Sequence, residues 1–353
     1  MRQDSRGLAI EPLQGWHLPL LQDSAFLDLQ PLLQRALLLQ GPDRLLSLLA
    51  PRRPLAPQVL VARFDGQRLL GLVVSQRHNR SGSCWELRHL RIAADLDPGA
   101  DPAAAADVPG RLALETALLR EAIQRSREAA SWIARTSSLN ADRLALLRQL
   151  GFQPQRTETL WRWRPQPSAV PCSELPAELQ VRPLQRRTAS LLWHLEQAAC
   201  PAHLRQLLDG RIEDLLDQSA SPSLMLVDTS RRQAVAAVRR LRSDPGPTLP
   251  ELDLTIHPGW EHLLGPAVER LLAQVAAGLE EVLLRSDVLD QPRNGWLRSI
   301  GLLPEGEEVL MARSVWRRQD PQPTHLAVSR LEAMLEQWQP RRRPLPTPVL
   351  QPR

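Results

Sequence analysis

Apolar positions along this chain switch between a helical and a strand-like period, and the switching pattern occurs twice. Apolar residues first fall at helical spacing between Leu18 and Leu49. The run VLVARFDGQRLLGLVV, residues 59–74, then places two β-rich segments around Asp65–Gly66, a turn pair suited to positive φ, and so predicts a hairpin. CWELRHLRI, residues 84–92, predicts a third strand. A helix follows from Arg111 to about Arg127, with Leu112, Ala113, Leu118, Leu119 and Ala122 on its apolar stripe. SWIART reads as a short buried strand, ADRLALLRQLGF as a helix closed by Gly151, and TLWRW as a last strand.

The same order returns in the second half. LMLVDTSRRQAVAAVRR, from Leu224, matches the hairpin, and ELDLTIH matches the third strand. PAVERLLAQVAAGL matches the long helix, EVLLRSD the buried strand, NGWLRSIGL the helix ending in Gly301, and EVLMARSVW the last strand. The register is constant on either side of one break. Val59 and Leu224, like Glu86 and Glu251, lie 165 apart, whereas Arg135 and Arg285, like Gly151 and Gly301, lie 150 apart. The first half therefore carries an insertion of about 15 residues, the Ala/Pro/Asp-rich AADLDPGADPAAAADVPG, between its third strand and its long helix.

Composition adds limits to this picture. The 353 residues, 43% of them hydrophobic, suffice for two ordinary domains. A Pro-rich stretch at 164–178 separates an N-terminal module (1–163) from a C-terminal one (179–318). The segment 319–353 predicts a short amphipathic helix, Thr324 to Trp338, and a disordered Pro/Arg-rich tail. No apolar stretch reaches the roughly 18–20 residues a membrane span needs, and the polar N-terminus lacks a signal-peptide core. A cytoplasmic protein without membrane contact is expected. Cys84, Cys172 and Cys200 form no CxxC pair, and His257 and His262 lack helical metal-site spacing, so no metal is expected. Cys84 reads as a small core residue. The net charge is only +5, and every basic group is an arginine, since the chain has no lysine. The clusters Arg186–Arg187, Arg231–Arg232, Arg239–Arg242 and Arg341–Arg343 form no dense stripe and read as solvated faces, not as a nucleic-acid surface.

The order hairpin, long strand, loop, helix, strand, helix, strand resembles the GNAT (Gcn5-related N-acetyltransferase) fold. The local match is NADRLALLRQLGF, with Asn140, Gly151 and Phe152 at the family's spacing, and its weaker echo RNGWLRSIGL, which contains Asn294. The resemblance implies an α/β (α+β) chain of two tandem modules, each a mixed, mostly antiparallel sheet flanked by helices. It also implies acetyl-CoA, or another acyl-CoA, as co-substrate. Its pyrophosphate would rest on backbone N–H groups where a loop enters the long helix, the physics of any helix N-terminus. In the second half the matching stretch is His262, Leu263, Leu264, Gly265, Pro266 and Ala267; Gly265 and Ala267 fit the family's motif, and His262 replaces its usual Arg or Gln. In the first half only Gly110 remains of the motif. Asn140 and Asn294 are further cofactor candidates by the resemblance, and Asn140 equally suits a helix N-cap.

Catalysis departs from the family. The position of its tyrosine acid falls on Leu147 and Leu297, and the chain has no tyrosine. A base must still free the attacking amine of its proton. Glu86 and Glu251, at equivalent strand positions, are the candidates, with Asp253 and His257 as alternatives in the second half. Alternation puts Glu251, Asp253 and Thr255 on one strand face, either a cleft wall or a wet sheet surface. Trp161, Trp163 and Trp316 suit packing on last strands. Two functions stand against each other. One is an acyl-CoA-dependent N-acyltransferase working mainly through the C-terminal module on a small-molecule or peptide amine. The other is a catalytically inactive binding or scaffold protein of the same fold. A monomer and a homodimer are both compatible with a two-module chain.

Overall fold

The computed structural model describes residues 7–49, 56–65, 68–94, 109–126, 129–165, 175–244 and 248–314, the side chains of 44–49 excepted. Gly66 of the predicted turn, most of the insertion, Cys172 with most of the Pro-rich stretch, Trp316 and the segment 319–353 lie outside the described residues.

The first half runs β1 (Leu8–Pro12), α1 (Ser24–Leu27), α2 (Gln30–Leu49), β2 (Gln58–Phe64), β3 (Arg68–Arg77), β4 (Cys84–Ile92), α3 (Arg111–Arg125), β5 (Ser131–Ser137), α4 (Ala141–Gln149) and β6 (Gln153–Trp163). The second runs β7 (Leu179–Pro183), α5 (Ala189–Ala199), α6 (Ala202–Leu208), α7 (Ile212–Gln218), β8 (Ser219–Asp228), β9 (Gln233–Leu241), β10 (Glu251–Ile256), α8 (Pro266–Ala276), β11 (Val282–Asp287), α9 (Gln291–Ser299) and β12 (Leu303–Ser314). Equivalent helices have equivalent ends. Asn140 caps α4 by accepting the Arg143 N–H at 3.0 Å, and Asp290 caps α9 by accepting the Arg293 N–H at 3.1 Å. Gly151 (φ +86°) and Gly301 (φ +87°) close the same two helices in the left-handed region that glycine enters without strain.

The twelve strands of the described residues form one sheet, in the order β1-β2-β3-β4-β5-β12-β6-β11-β10-β9-β8-β7. The last strands are exchanged: β12 pairs with β5 of the first half, and β6 pairs with β11 of the second. The order of elements predicts the two strands but not which module each completes. Between β6 and β12 the ladder is symmetric about Glu158↔Glu308, since Thr157↔Val309 is mirrored by Thr159↔Glu307 and Arg156↔Leu310 by Leu160↔Gly306. A pseudo-twofold axis therefore passes between Glu158 and Glu308, and the 150-residue offset relates the strands on its two sides.

The exchange is sealed by side chains. Trp161 and Trp163 of β6 enter the second core, against Leu271, Leu272 and Val275 of α8. Met311 of β12 enters the first core, among Leu114 and Leu118 of α3, Leu147 of α4 and Trp132 of β5. On the opposite face α6 lies over the first half. Leu204 packs with Cys84, Ile133 and Leu310 there. The Asn79 amide donates to the Leu208 carbonyl at 2.9 Å, and the Ser83 hydroxyl donates to Asp209 at 2.6 Å. Burial pushes the Cys84 thiol up to about 12, which keeps it a neutral core group.

Candidate functional site

In each half one pair of strands runs parallel, because a helix crosses over between them. These are β4–β5, joined through α3, and β10–β11, joined through α8. Both pairings are brief. β4 and β5 stay in register from Cys84↔Ser131 to Leu87↔Ala134, and β10 and β11 only at Glu251↔Leu283 and Leu252↔Leu284. Beyond those residues the strands part, which leaves unpaired backbone beside the start of a helix. The first gap opens on a cavity of about 180 Å³ lined by Arg88, Arg91, Arg135, Asn140 and Arg143 among others. Across the second gap the Arg293 guanidinium donates to the Leu254 carbonyl at 3.3 Å.

The loop into α8 is shaped by three residues. His257 caps a 3-10 turn, Pro258–Leu263, by accepting the Gly259 N–H on Nδ1 at 3.1 Å. Leu263 is buried in the second core and anchors the turn. Gly265 is the N-cap of α8, in extended backbone, and a Cβ added there would meet nothing within 4 Å. The first amides of the helix have no intrahelical acceptor by geometry, and they face the open side with the positive end of the helix dipole. Pro266 contributes no N–H, which leaves those of Gly265, Ala267 and Val268. Leu264 and Ala267 are half-buried against the core, and His262 points outward with its ring 5.3 Å from that of Trp260. In the first half Gly110 caps α3, also with nothing within 4 Å, while the residues before it from 95 to 108 are outside the described set.

The carboxylates predicted as bases are all engaged by arginine. Glu86 is buried on β4, 3.2 Å from Arg135, 3.4 Å from Arg88 and 3.7 Å from His78. Its burial opposes ionisation, but Arg88, His78 and Arg135 together hold its carboxyl well below the usual carboxylate range. Glu251 pairs with Arg285 and Asp253 with Arg239. Arg135 also reaches over β12 to Glu158 at 3.2 Å, and Arg285 reaches over β6 to Glu308 at 3.0 Å. Each half thus has a Glu–Arg–Glu chain that ends at the pseudo-twofold axis. A strongly ionised carboxylate is a weak proton acceptor, so this pairing argues against Glu86 as a base.

The two asparagines have separate roles. Asn140 lies beside the first cavity as well as capping α4. Asn294 is buried inside α9, where its side-chain carbonyl accepts from the Ser286 hydroxyl at 2.5 Å and its amide donates to the Asp287 carbonyl at 2.9 Å. Ser286 in turn accepts the Trp161 indole N–H at 2.7 Å, so Asn294 fixes the exchanged strand to the second core. Its cap counterpart in sequence is Asp290, not Asn294. Leu147 and Leu297, at the acid's position, are both buried in the cores.

Three residues around Asp253 form a cluster that only Thr255 and Asp253 of the strand-face pattern hint at. Glu196 of α5 accepts from the Thr255 hydroxyl at 2.8 Å and lies 3.4 Å from Arg239 of β9. Arg239 is buried and bridges Glu196 to Asp253. The signal was present in LLWHLEQAA, where Glu196 falls four residues after Leu192 on the stripe that packs inward, and in VAAVRRL, where a cation interrupts an apolar strand. Among the described residues, no group of three or more His, Cys, Asp and Glu could hold a metal ion.

No family model matches the sequence, and neither does any curated protein. The architecture does have solved counterparts. A tandem GNAT protein from the clavulanic acid biosynthesis pathway matches with a TM-score of 0.54 and 14% identity, over 88% of this chain and 100% of its own. The chain has the fold of the GCN5-related N-acetyltransferases, in two tandem modules. A GCN5-related N-acetyltransferase from Sphaerobacter thermophilus also matches, with a TM-score of 0.52 and 13% identity over 87% of this chain and 95% of that one. A glucosamine N-acetyltransferase region of a fungal multi-domain β-N-acetylglucosaminidase matches with a TM-score of 0.54 and 10% identity, over 88% of this chain and 38% of that one. At these identities the likeness is one of fold alone.

Proposed function

We propose that the protein is an acyl-CoA-dependent N-acyltransferase that works through its C-terminal module and transfers the acyl group to an amine. The observation that carries this reading is the open start of α8. There an unobstructed Gly265 and the first helix amides follow, after the turn Pro258–Leu263, the strand that parts from β11. Those amides and the dipole would hold the pyrophosphate. A thioester carbonyl held in the gap would be attacked by a neutral amine, and the C–S bond would then break. With Leu147 and Leu297 buried and no tyrosine in the chain, the thiolate would leave without a side-chain acid from that helix. The acyl donor is acetyl-CoA in the simplest case, and the acceptor is a small-molecule or peptide amine. The modules correspond to residues 1–163 and 179–318, joined by 164–178, and the protein is proposed to act in the cytoplasm. Among the described residues no helix is long and apolar enough to cross a membrane.

A second reading is a non-catalytic binding or scaffold protein. It is favoured by the arginine pairing of Glu86, Glu251 and Asp253, and by the Arg293 side chain that crosses the second gap. Calorimetric titration with acetyl-CoA, followed by assay of free CoA with a panel of primary amines, separates the two. Binding with CoA release supports the enzyme, whereas binding without release, or no binding at all, supports the non-catalytic reading.

A further inference from the structure

Arg239, which Glu196, Asp253 and Thr255 surround, is buried and has no charged counterpart in the first module. The ladders align the two modules residue by residue. Leu87 pairs with Ser75 as Leu252 pairs with Arg240, and Leu90 pairs with Val73 as Leu254 pairs with Val238. Between these pairs β4 carries one extra residue, a bulge at Arg88, while β10 runs without a shift. By this alignment Val74 stands where Arg239 stands, and Arg91 where Thr255 stands. Val74 is buried in an apolar cluster with Leu32, Leu33 and Ala36 of α2. At the Arg239 position the fold therefore accepts plain hydrocarbon, whereas Arg91, at the Thr255 position, lies 3.6 Å from Asp28.

Keeping a charge at the Arg239 position has a cost. Arg239 is buried, and its Nε and Nη1 have no hydrogen-bond partner among the described residues. A buried ion cluster of this kind is often no more stable than its apolar replacement. Two carboxylates, Glu196 and Asp253, share the Arg239 guanidinium. Asp253 and Glu196 keep 35% and 21% of their side-chain surface exposed, so an ammonium can reach them from the solvent side. Thr255 and Asp253 sit on β10 past its last pairing with β11, beside the gap in which the acyl donor is proposed to lie.

We propose that Glu196 binds the acceptor's ammonium group and takes its proton, positioned by Thr255 and held beside Asp253 by Arg239. This assignment rests on the N-acyltransferase reading above and identifies the acceptor as a primary amine that arrives protonated. One N–H bond of the ammonium breaks and its proton moves to the Glu196 carboxylate. The freed lone pair forms the N–C bond to the thioester carbonyl, the nitrogen gives up a second proton to solvent, and the C–S bond breaks with its electrons on sulfur, which takes a proton from solvent; Glu196 passes its own proton to solvent before the next turnover. The charged groups around Glu196 act in opposite directions. Burial and Asp253 push its carboxyl up, Arg239, Thr255 and Arg156 pull it down, and the net direction is up, which suits a proton acceptor.

The test uses the full chain with acetyl-CoA and a panel of α,ω-diamines, amino acids and short peptides, with CoA release followed from pH 5 to 9. Glu196→Gln is expected to bind acetyl-CoA within about twofold of wild type. It should lose roughly 100-fold or more in kcat and the acidic limb of the pH–rate profile. Glu196→Asp should restore part of the rate together with that limb, a result that a purely structural role would not give. Glu196→Gln retaining both kcat and the acidic limb overturns the assignment while leaving the acyltransferase reading in place. A wild-type chain that binds acetyl-CoA but releases CoA with none of these amines overturns both. If Glu196→Gln does not fold, Thr255→Val provides the same readout, with an expected displacement of the acidic limb; an unmoved limb overturns the assignment.

Discussion

At one position on the β3 or β9 strand the two modules made opposite choices. The first has Val74 in an apolar cluster under α2, and the second has Arg239 between two carboxylates under α5. The third strand differs as well, bulged at Arg88 in the first module and regular in the second. Both choices complete the same sheet. Folding therefore fixes the pattern of parted strands and helix starts, and leaves the charge around them free to serve something other than stability.

The exchanged strands give the largest expected effect. Trp161→Ala should destabilise the chain by about 3–5 kcal/mol, as for a fully buried tryptophan, read from urea unfolding. Hydrogen exchange should rise in α8 and β11 more than in α3, although Trp161 precedes the second module in sequence. Loss of protection confined to the first half would break the exchange.

The charged cluster sharpens the comparison directly. Arg239→Val leaves Glu196 and Asp253 facing each other and should cost about 3–5 kcal/mol. Adding Glu196→Leu, which makes the second module resemble the first, should recover most of that loss. Glu196→Gln alone has a sign of its own. Its folded carboxyl is raised, so the wild-type residue contributes stability at acid pH that is lost as pH rises through the folded value. The variant should therefore gain on wild type above the acid range in thermal melts at successive pH values, and show no gain at low pH.

Glu86 should behave oppositely. Its folded carboxyl is lowered, so its contribution is present above the ordinary carboxylate value of about 4.3 and is lost as pH falls below it. Glu86→Gln should cost roughly 1–3 kcal/mol at pH 7, a difference that shrinks on acidification. The smallest effects are the caps. Asn140→Ala and Asp290→Ala should each cost about 1 kcal/mol, and an equal cost would place them as equivalent caps.

Much of this was legible in the sequence. The duplication, the offsets of 165 and 150 and both closing glycines follow from periodicity and turn chemistry, which are local. Strand exchange was not legible, because TLWRW and EVLMARSVW carry apolar faces that suit either core. The bulge at Arg88 hides in a sequence that reads as plain strand. Glu86, Glu251 and Asp253 stand out as acids on strands, but apart from Arg88, on the same strand as Glu86, their arginine partners come from other strands of the sheet, so spacing along the chain does not reveal them. Glu196 sits on a helix stripe where a lone acid looks like an irregularity until Arg239 and Thr255 are brought against it.

The central claim is that the second module carries the acyl-CoA site, and paired glycine variants test it most directly. A Cβ at either Gly110 or Gly265 meets nothing within 4 Å, so Gly110→Glu and Gly265→Glu should both fold. Each places a carboxylate at a helix start. Calorimetric titration with acetyl-CoA should show binding intact in Gly110→Glu and lost, or weakened at least 30-fold (about 2 kcal/mol), in Gly265→Glu. Binding that survives Gly265→Glu and disappears with Gly110→Glu would contradict the account.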